Sequence, residues 1–253
     1  NQLEAIERGE IVPLSGGHLF DIPPGKIYTP NITSDVETGI GGLPDSVIAR
    51  SLRYGVGHDG RAMPDFMPFQ HLSDEDLVAI ISYLRSTAAV KNAVPKTEWN
   101  VMGNVIKALV LEPVGPTTEV PKTVTKGATV EYGKYLVESV ANCKGCHTDR
   151  DLKTGKFTGI PYAGGFRMPS DVNPAMFVVT PNITSDAETG RLAKWTEDEF
   201  IERFRKGKIV QESTMPWGPF SRLADTDLRA IYRFLKSIPP VRNNTGPVLV
   251  SMH

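Results

Sequence analysis

The stretch Thr29-Pro30-Asn31-Ile32-Thr33-Ser34-Asp35-Val36-Glu37-Thr38-Gly39 returns later in the chain as Thr180-Pro181-Asn182-Ile183-Thr184-Ser185-Asp186-Ala187-Glu188-Thr189-Gly190, identical at ten of eleven positions. The match extends downstream: Arg53 and Gly55 pair with Arg205 and Gly207, Met63-Pro64 with Met215-Pro216, and Pro68-Phe69 with Pro219-Phe220. Upstream, Gly16-Gly17 pairs with Gly164-Gly165. An offset of about 151 residues marks duplication of a whole domain, because solenoid repeats run about 20 to 50 residues. Both copies close on an amphipathic segment. In the first, Ser73 with Asp76 three residues on opens a helix from Leu77 to Ser86, with Leu77, Ile80, Ile81 and Leu84 at helical spacing. In the second, Asp225 precedes Leu228 to Ser237, whose Leu228, Ile231, Phe234 and Leu235 share one face. The pattern predicts an N-terminal domain over 1–89, a linker over 90–126 with one helix, and a C-terminal domain over 127–253. Within the linker a helix is expected over 100–111, and Pro113, Pro116 and Pro121 punctuate an extended crossover after it.

The chain has two cysteines, and both stand in Cys143-Lys144-Gly145-Cys146-His147. Two thiols one helical turn apart suit thioether bonds to the vinyl groups of a haem, and the next residue offers an imidazole to the iron. CxxC also serves zinc sites and dithiol chemistry. A structural zinc needs four ligands, and no second Cys or His pair is present to complete a tetrahedron. A thioredoxin-type motif opens a helix in a βαβ pattern, and nothing strand-rich precedes Cys143. Haem attachment is therefore the favoured reading. The segment from Val130 to Val140 reads as a helix leading into the motif, with Gly133 open to close crossing by the terminal helix or simply a cost to stability.

Composition narrows the partners. The 253 residues carry a net charge of −1, so there is no basic footprint for nucleic acid or an anionic membrane. With 23 Gly and 20 Pro the chain is loop-rich, as a fold that wraps a cofactor requires. No run reaches the ~18 apolar residues of a membrane span; the best, Val101 to Leu111, is broken by Asn104 and Lys107.

Met215 follows His147 by about 68 residues of loop-rich sequence, enough to pass around a flat macrocycle and return on its other face. A thioether there completes a His/Met iron; the plainer role for a methionine is to fill core. Pro216 beside it and Met63 at the matching place favour ligation, with Met63 serving the first copy.

Together, the CxxCH, the two TPNITSD blocks, the Met-Pro pairs and the closing helix resemble the class I cytochrome c fold in its tandem diheme form. The resemblance is nearest to cytochrome subunits that accept electrons from periplasmic alcohol, sugar-acid and related dehydrogenases. It implies an all-α fold: two tandem cytochrome c-like domains with long loops around haem c. It further implies an electron carrier and not an enzyme, acting alone or as a subunit of a dehydrogenase complex. Its partners would be a dehydrogenase donor and a terminal oxidase or other cytochrome acceptor of a respiratory chain. The location implied is periplasmic or otherwise exported, with membrane association through a partner or an upstream segment. Asn31 and Asn182 suit haem propionates or an Asx turn, Arg53 and Arg205 suit propionates or a helix surface, and Trp195 a haem edge or the core.

In one respect the chain departs from that pattern. His147 precedes Gly165 by 18 residues, whereas 16 residues precede Gly17, so the first copy's CxxCH is expected upstream of Asn1, with a second haem in the N-terminal domain. The other reading is loss of covalent attachment there, with His18 or His58 as substitute ligands. The competing function class is a haem enzyme or sensor, peroxidase-like or gas-binding, with an open iron site. Matched methionines favour the carrier, and His71 and His253 stand apart, at a helix start and at the C-terminus.

Overall fold

In the computed structural model the repeated block becomes the same loop twice, each copy held beneath its own terminal helix. Residues 2–64, 69–151, 155–170, 172–173 and 175–251 are described, the side chains of 2 and 3 excepted. Pro68 of the repeat and His253 lie outside the described residues, as does Asn1.

The chain divides into two compact units, one formed by Pro13–Val124 with Leu152–Gly155, the other by Asn1–Val12, Thr125–Asp151 and Lys156–His253. The first residues, with helix α1 (Gln2–Glu7), thus go with the C-terminal unit. There the Gly218 N–H donates to Glu7 Oε2 at 2.6 Å and Arg222 donates to Ile6 O at 3.2 Å.

The Pro13–Val124 unit opens on strands β1 (Leu19–Ile22) and β2 (Gly25–Tyr28), which pair antiparallel. Helices α2 (Asp45–Tyr54) and α3 (Asp74–Ser86) follow. Strand β3 (Glu98–Trp99) then returns to pair with β2, and α4 (Val101–Leu109) leaves from it. Ile40, Ile48, Leu77, Ile81 and Leu84 form the core, with Leu14, Ile32 and Leu43 against them. The start of α3 is fixed as its sequence foretold: Ser73 is its N-cap and accepts from the Asp76 N–H at 3.1 Å. Asn100 caps α4 in the same way through the Gly103 N–H.

In the other unit α5 (Val130–Tyr135) runs through a wide π turn, Leu136–Val140, into the single turn α6 (Cys143–Cys146). Strands β4 (Arg167–Pro169) and β5 (Met176–Val179) pair antiparallel, α7 (Glu197–Arg205), α8 (Trp217–Ser221) and α9 (Asp225–Ser237) follow, and β6 (Leu249–Ser251) returns to β5. Thr196 and Glu199 close a capping box at the start of α7. Phe200, Phe204, Trp217 and Phe220 make a chain of ring contacts from α7 to α8, at 4.7 to 6.1 Å between centroids.

The all-α expectation is corrected by two three-stranded antiparallel sheets, β1-β2-β3 and β4-β5-β6, which make the fold mixed, with 34% of the described residues helical and 11% in strands. The cause is non-local. Each hairpin follows a Gly-Gly turn, and its third strand arrives from beyond the terminal helix of the same copy, so the extended segment after α3 or α9 closes back on the hairpin.

Matched arginines strap the helices. Arg53 is buried and donates to Gln70 O at 3.1 Å, to Leu72 O, and to Asp74 at 2.9 Å, tying α2 to the start of α3. Arg205 ties α7 to the start of α9 through Ser221 O, Leu223 O and Asp225.

Helices α5 and α9 cross at Gly133. A Cβ there would run into the Ala230 carbonyl and come within 2.9 Å of Phe234 Cβ, so hydrogen is the only side chain this crossing admits. Ala230 and Leu228 are fully buried on the facing helix. In the first copy, Ala79 and Tyr83 hold the places of Ala230 and Phe234 and are exposed. Gly133→Ala is expected to lower stability by about 2 kcal/mol or more through overpacking, despite alanine's better helix propensity. Urea unfolding of the two proteins measures the difference, and an equal or higher midpoint for the variant would refute the tight crossing.

Candidate functional site

The site is assembled on His147. The turn α6 carries Cys143 and Cys146 on one side of the chain and delivers His147 at its end, where the His147 N–H donates to Cys143 O at 2.8 Å. His147 is 9% exposed, and its Nδ1 lies 2.9 Å from the carbonyl oxygen of Pro181. A carbonyl only accepts, so the proton of the neutral ring sits on Nδ1 and Nε2 keeps a bare lone pair. Burial pulls the imidazole's pKa below its ordinary value, which holds the ring neutral. A neutral histidine oriented through its other nitrogen by a carbonyl is the arrangement of a metal ligand.

The backbone around His147 is pinned on both sides. Its carbonyl accepts from the Gly164 N–H at 2.8 Å, and fully buried Thr148 accepts from the Tyr162 N–H at 3.2 Å. Gly164, at φ 72°, presses on the Pro181 loop, and a Cβ there would lie 2.6 Å from Asn182 N. Only glycine suits that position.

What positions Pro181 is a polar knot built from the repeated block. The Asn182 amide donates to Val241 O at 2.7 Å and Thr189 Oγ1 at 3.1 Å, while its oxygen accepts from the Thr184 N–H and hydroxyl. Thr184 Oγ1 also accepts from the Val241 N–H at 3.2 Å. The Asn243 N–H donates to Thr189 Oγ1, and the Asn243 side chain reaches Ala163 O at 2.9 Å. The first copy repeats every link: Asn31 to Val90 O at 2.8 Å and to Thr38 Oγ1, Thr33 to Asn31, Asn92 to Thr38, and the Asn92 side chain to Ser15 O at 2.8 Å. In both, a threonine hydroxyl and N–H hold an aspartate, Asp35 or Asp186, below the ordinary carboxylate range.

The other residues singled out in the sequence are placed as follows. Met215, half-buried, leads into α8, and its carbonyl accepts from the Trp217 N–H at 2.8 Å. Met63 is 37% exposed and donates its N–H to Gly55 O at 2.7 Å. Trp195 leans edgewise on Phe200, and its carbonyl accepts from the Tyr232 hydroxyl at 2.6 Å. Asn31, Asn182, Arg53 and Arg205 direct their polar groups into the knots and straps already described. His18 stacks edge-on with Phe20, His71 accepts from the Thr117 N–H, and His58 is exposed in a turn. The Pro181 carbonyl, Asn243 and Asn92 escaped the sequence reading; the matching Val-Lys-Asn and Val-Arg-Asn at 90–92 and 241–243 were the available signal. So did Arg203, which stacks on Trp217 at 3.6 Å, two residues beyond Met215; burial, and then the neighbouring Arg191, lower its pKa.

The donor set decides among the chemistries open to CxxC. Loss of water pushes the Cys143 thiol up to about 12 and raises Cys146 as well, although Cys146 itself reaches the surface. A dithiol redox motif needs the opposite shift. Among the described residues no three His, Cys, Asp or Glu side chains are grouped to hold a metal ion. What remains is a pair of thiols beside one oriented imidazole, and these residues fit covalent haem.

No protein-family model matches the chain. Its homologues are cytochrome c subunits of dehydrogenases and a diheme cytochrome c, which bears out the likeness read from the motifs. The cytochrome c subunit of the quinone-type alcohol dehydrogenase of Gluconobacter oxydans is 30% identical over 90% of this chain and 50% of its own length. The fructose dehydrogenase cytochrome subunit of Gluconobacter japonicus is 27% identical over 89% of the chain and 47% of itself. A diheme cytochrome c-type protein of Cereibacter sphaeroides is 25% identical, covering 90% and 77% respectively. The chain spans about half the length of the dehydrogenase subunits it matches.

Asn182→Ala leaves the buried Thr184 N–H without its acceptor and removes the shorter of the two bonds to Val241 O, and is expected to cost about 2 to 3 kcal/mol; Asn31→Ala is expected to cost a similar amount. Because the two knots share no residue, the double variant should lose the sum of the two within about 0.5 kcal/mol in urea unfolding. A double variant no less stable than either single one would show that the knots do not act separately.

Proposed function

We propose that the chain is a c-type electron carrier that passes electrons between redox partner proteins. The observation that carries this reading is the His147 imidazole, held through Nδ1 by Pro181 with Nε2 left bare, at the end of a Cys-x-x-Cys turn. Cys143 and Cys146 would hold the haem by thioethers, His147 Nε2 would ligate its iron, and Met215 would supply a second, thioether ligand. A haem so held supplies an iron that cycles between ferric and ferrous states, at a potential raised by methionine. The protein's own part is to fix the imidazole's tautomer and orientation, to keep water from His147, and to bring the thiol-bearing turn to the surface, where Cys146 is exposed. Arg203, half-buried on Trp217 with like-charged Arg191 near it, is the cation we assign to the haem carboxylates, since Arg205 is committed to Asp225 and two carbonyls.

For the other unit we propose a second haem, its CxxCH upstream of Asn1 and Met63 as ligand. The duplicated knot, with Pro30 in the place of Pro181, supports it. By the likeness to dehydrogenase cytochrome subunits, the donor would be a dehydrogenase and the acceptor another cytochrome or a terminal oxidase, in the periplasm or another exported location.

Haem-stained denaturing gels should show a band at the protein's mass that Cys146→Ala weakens sharply; haem released from the native protein by denaturation alone would defeat covalent attachment. Met215→Ala should abolish the weak near-infrared absorption of a sulfur–iron bond from one haem and lower that haem's potential. An unchanged spectrum and potential would remove Met215 from the ligand set. The reduced native protein should not bind carbon monoxide, and stoichiometric binding would move it to the gas-sensing or enzymatic class.

A further inference from the structure

The N-terminal segment grips the chain just beyond Met215. Helix α8 starts two residues after that methionine, and its N-cap is Pro216, whose side chain makes no capping bond. The cap comes instead from 211 residues away: Glu7 Oε2 accepts from the Gly218 N–H at 2.6 Å, the short bond that a carboxylate makes with a backbone donor. Gly218 is buried, and a Cβ there would stand 2.4 to 2.8 Å from backbone atoms of Glu7, so the two chains meet backbone to backbone. Arg222 fastens the far end of the contact by donating to Ile6 O at 3.2 Å, and Ala5 of α1 is buried.

The clamp is coupled to Met215 through Trp217. The Trp217 N–H donates to Met215 O at 2.8 Å and its Nε1 donates to Ser213 Oγ at 3.0 Å, so two bonds span the methionine and end on the neighbour of Gly218. In sequence, the matching run of the first copy, Met63-Pro64-Asp65-Phe66-Met67-Pro68-Phe69, has no glycine, so the residue that admits Glu7 is particular to the second copy. We propose that Glu7 is a positioning residue for Met215: it holds in place the segment that bears the thioether, so that a competing ligand works against the clamp as well as against the methionine. The inference rests on the reading of Met215 as an iron ligand.

The test is titration of the oxidised, haem-loaded protein with imidazole, followed by the near-infrared absorption of the sulfur–iron bond. Glu7→Ala should let imidazole displace Met215 at about a tenth of the wild-type concentration, the usual scale on which losing a supporting partner weakens a metal ligand. Glu7→Gln keeps an acceptor oxygen for the Gly218 N–H and should stay near wild type. Arg222→Ala loosens the same contact from its other end and should shift the titration in the same direction by less; it carries the test if Glu7→Ala does not fold. A carboxylate with a merely structural task would change the unfolding midpoint and leave the imidazole titration where it was. An unshifted titration in Glu7→Ala, or a Glu7→Gln as weakened as Glu7→Ala, overturns this inference alone when Met215→Ala loses the absorption. A Met215→Ala that keeps the absorption overturns the ligand reading and this inference with it.

Discussion

The bond from His147 Nδ1 to the Pro181 carbonyl is the contact on which the site depends. It chooses the tautomer, turns the ring and leaves one nitrogen bare, and it stands only if that carbonyl is held still. Proline contributes a fixed φ and no competing N–H. Asn182 contributes the rest, by fixing the loop to Val241 just beyond the end of α9. The terminal helix therefore does two things: it buries Leu228, Ile231 and Phe234, and it brings a backbone segment to the knot that aims the histidine.

A buried polar network of this kind stabilises only when every member is satisfied. Both knots meet that condition, with each asparagine amide using both N–H groups and its oxygen. In the second unit α9 lies under α5, with Gly133 at the crossing.

What the sequence disclosed was what acts locally. The duplication is legible because its block is a self-contained turn, in which asparagine bonds the threonine two residues on and aspartate the threonine three residues on. Helices α3 and α9 are legible from apolar spacing, α3 also from its Ser73 cap, and α4 from its run of apolar residues after Asn100. The sheets are not, because β3 and β6 are two or three residues long and pair with hairpins some seventy residues away. Nor could a local pattern show where the Asn182 amide or the Arg53 guanidinium goes, since their partners lie 59 and 17 to 21 residues along the chain. The Pro181 carbonyl is hidden for a further reason: a backbone oxygen carries no signature in residue type.

Because each knot closes within its own copy, the two halves are separately adjustable. A substitution at Asn243 loosens the loop that aims His147 and touches nothing around Asn31, and one at Asn92 does the reverse. Gene duplication thus supplied more than a second scaffold. It supplied two settings, one around Pro30 and one around Pro181, that can drift apart under selection one asparagine, or one threonine, at a time.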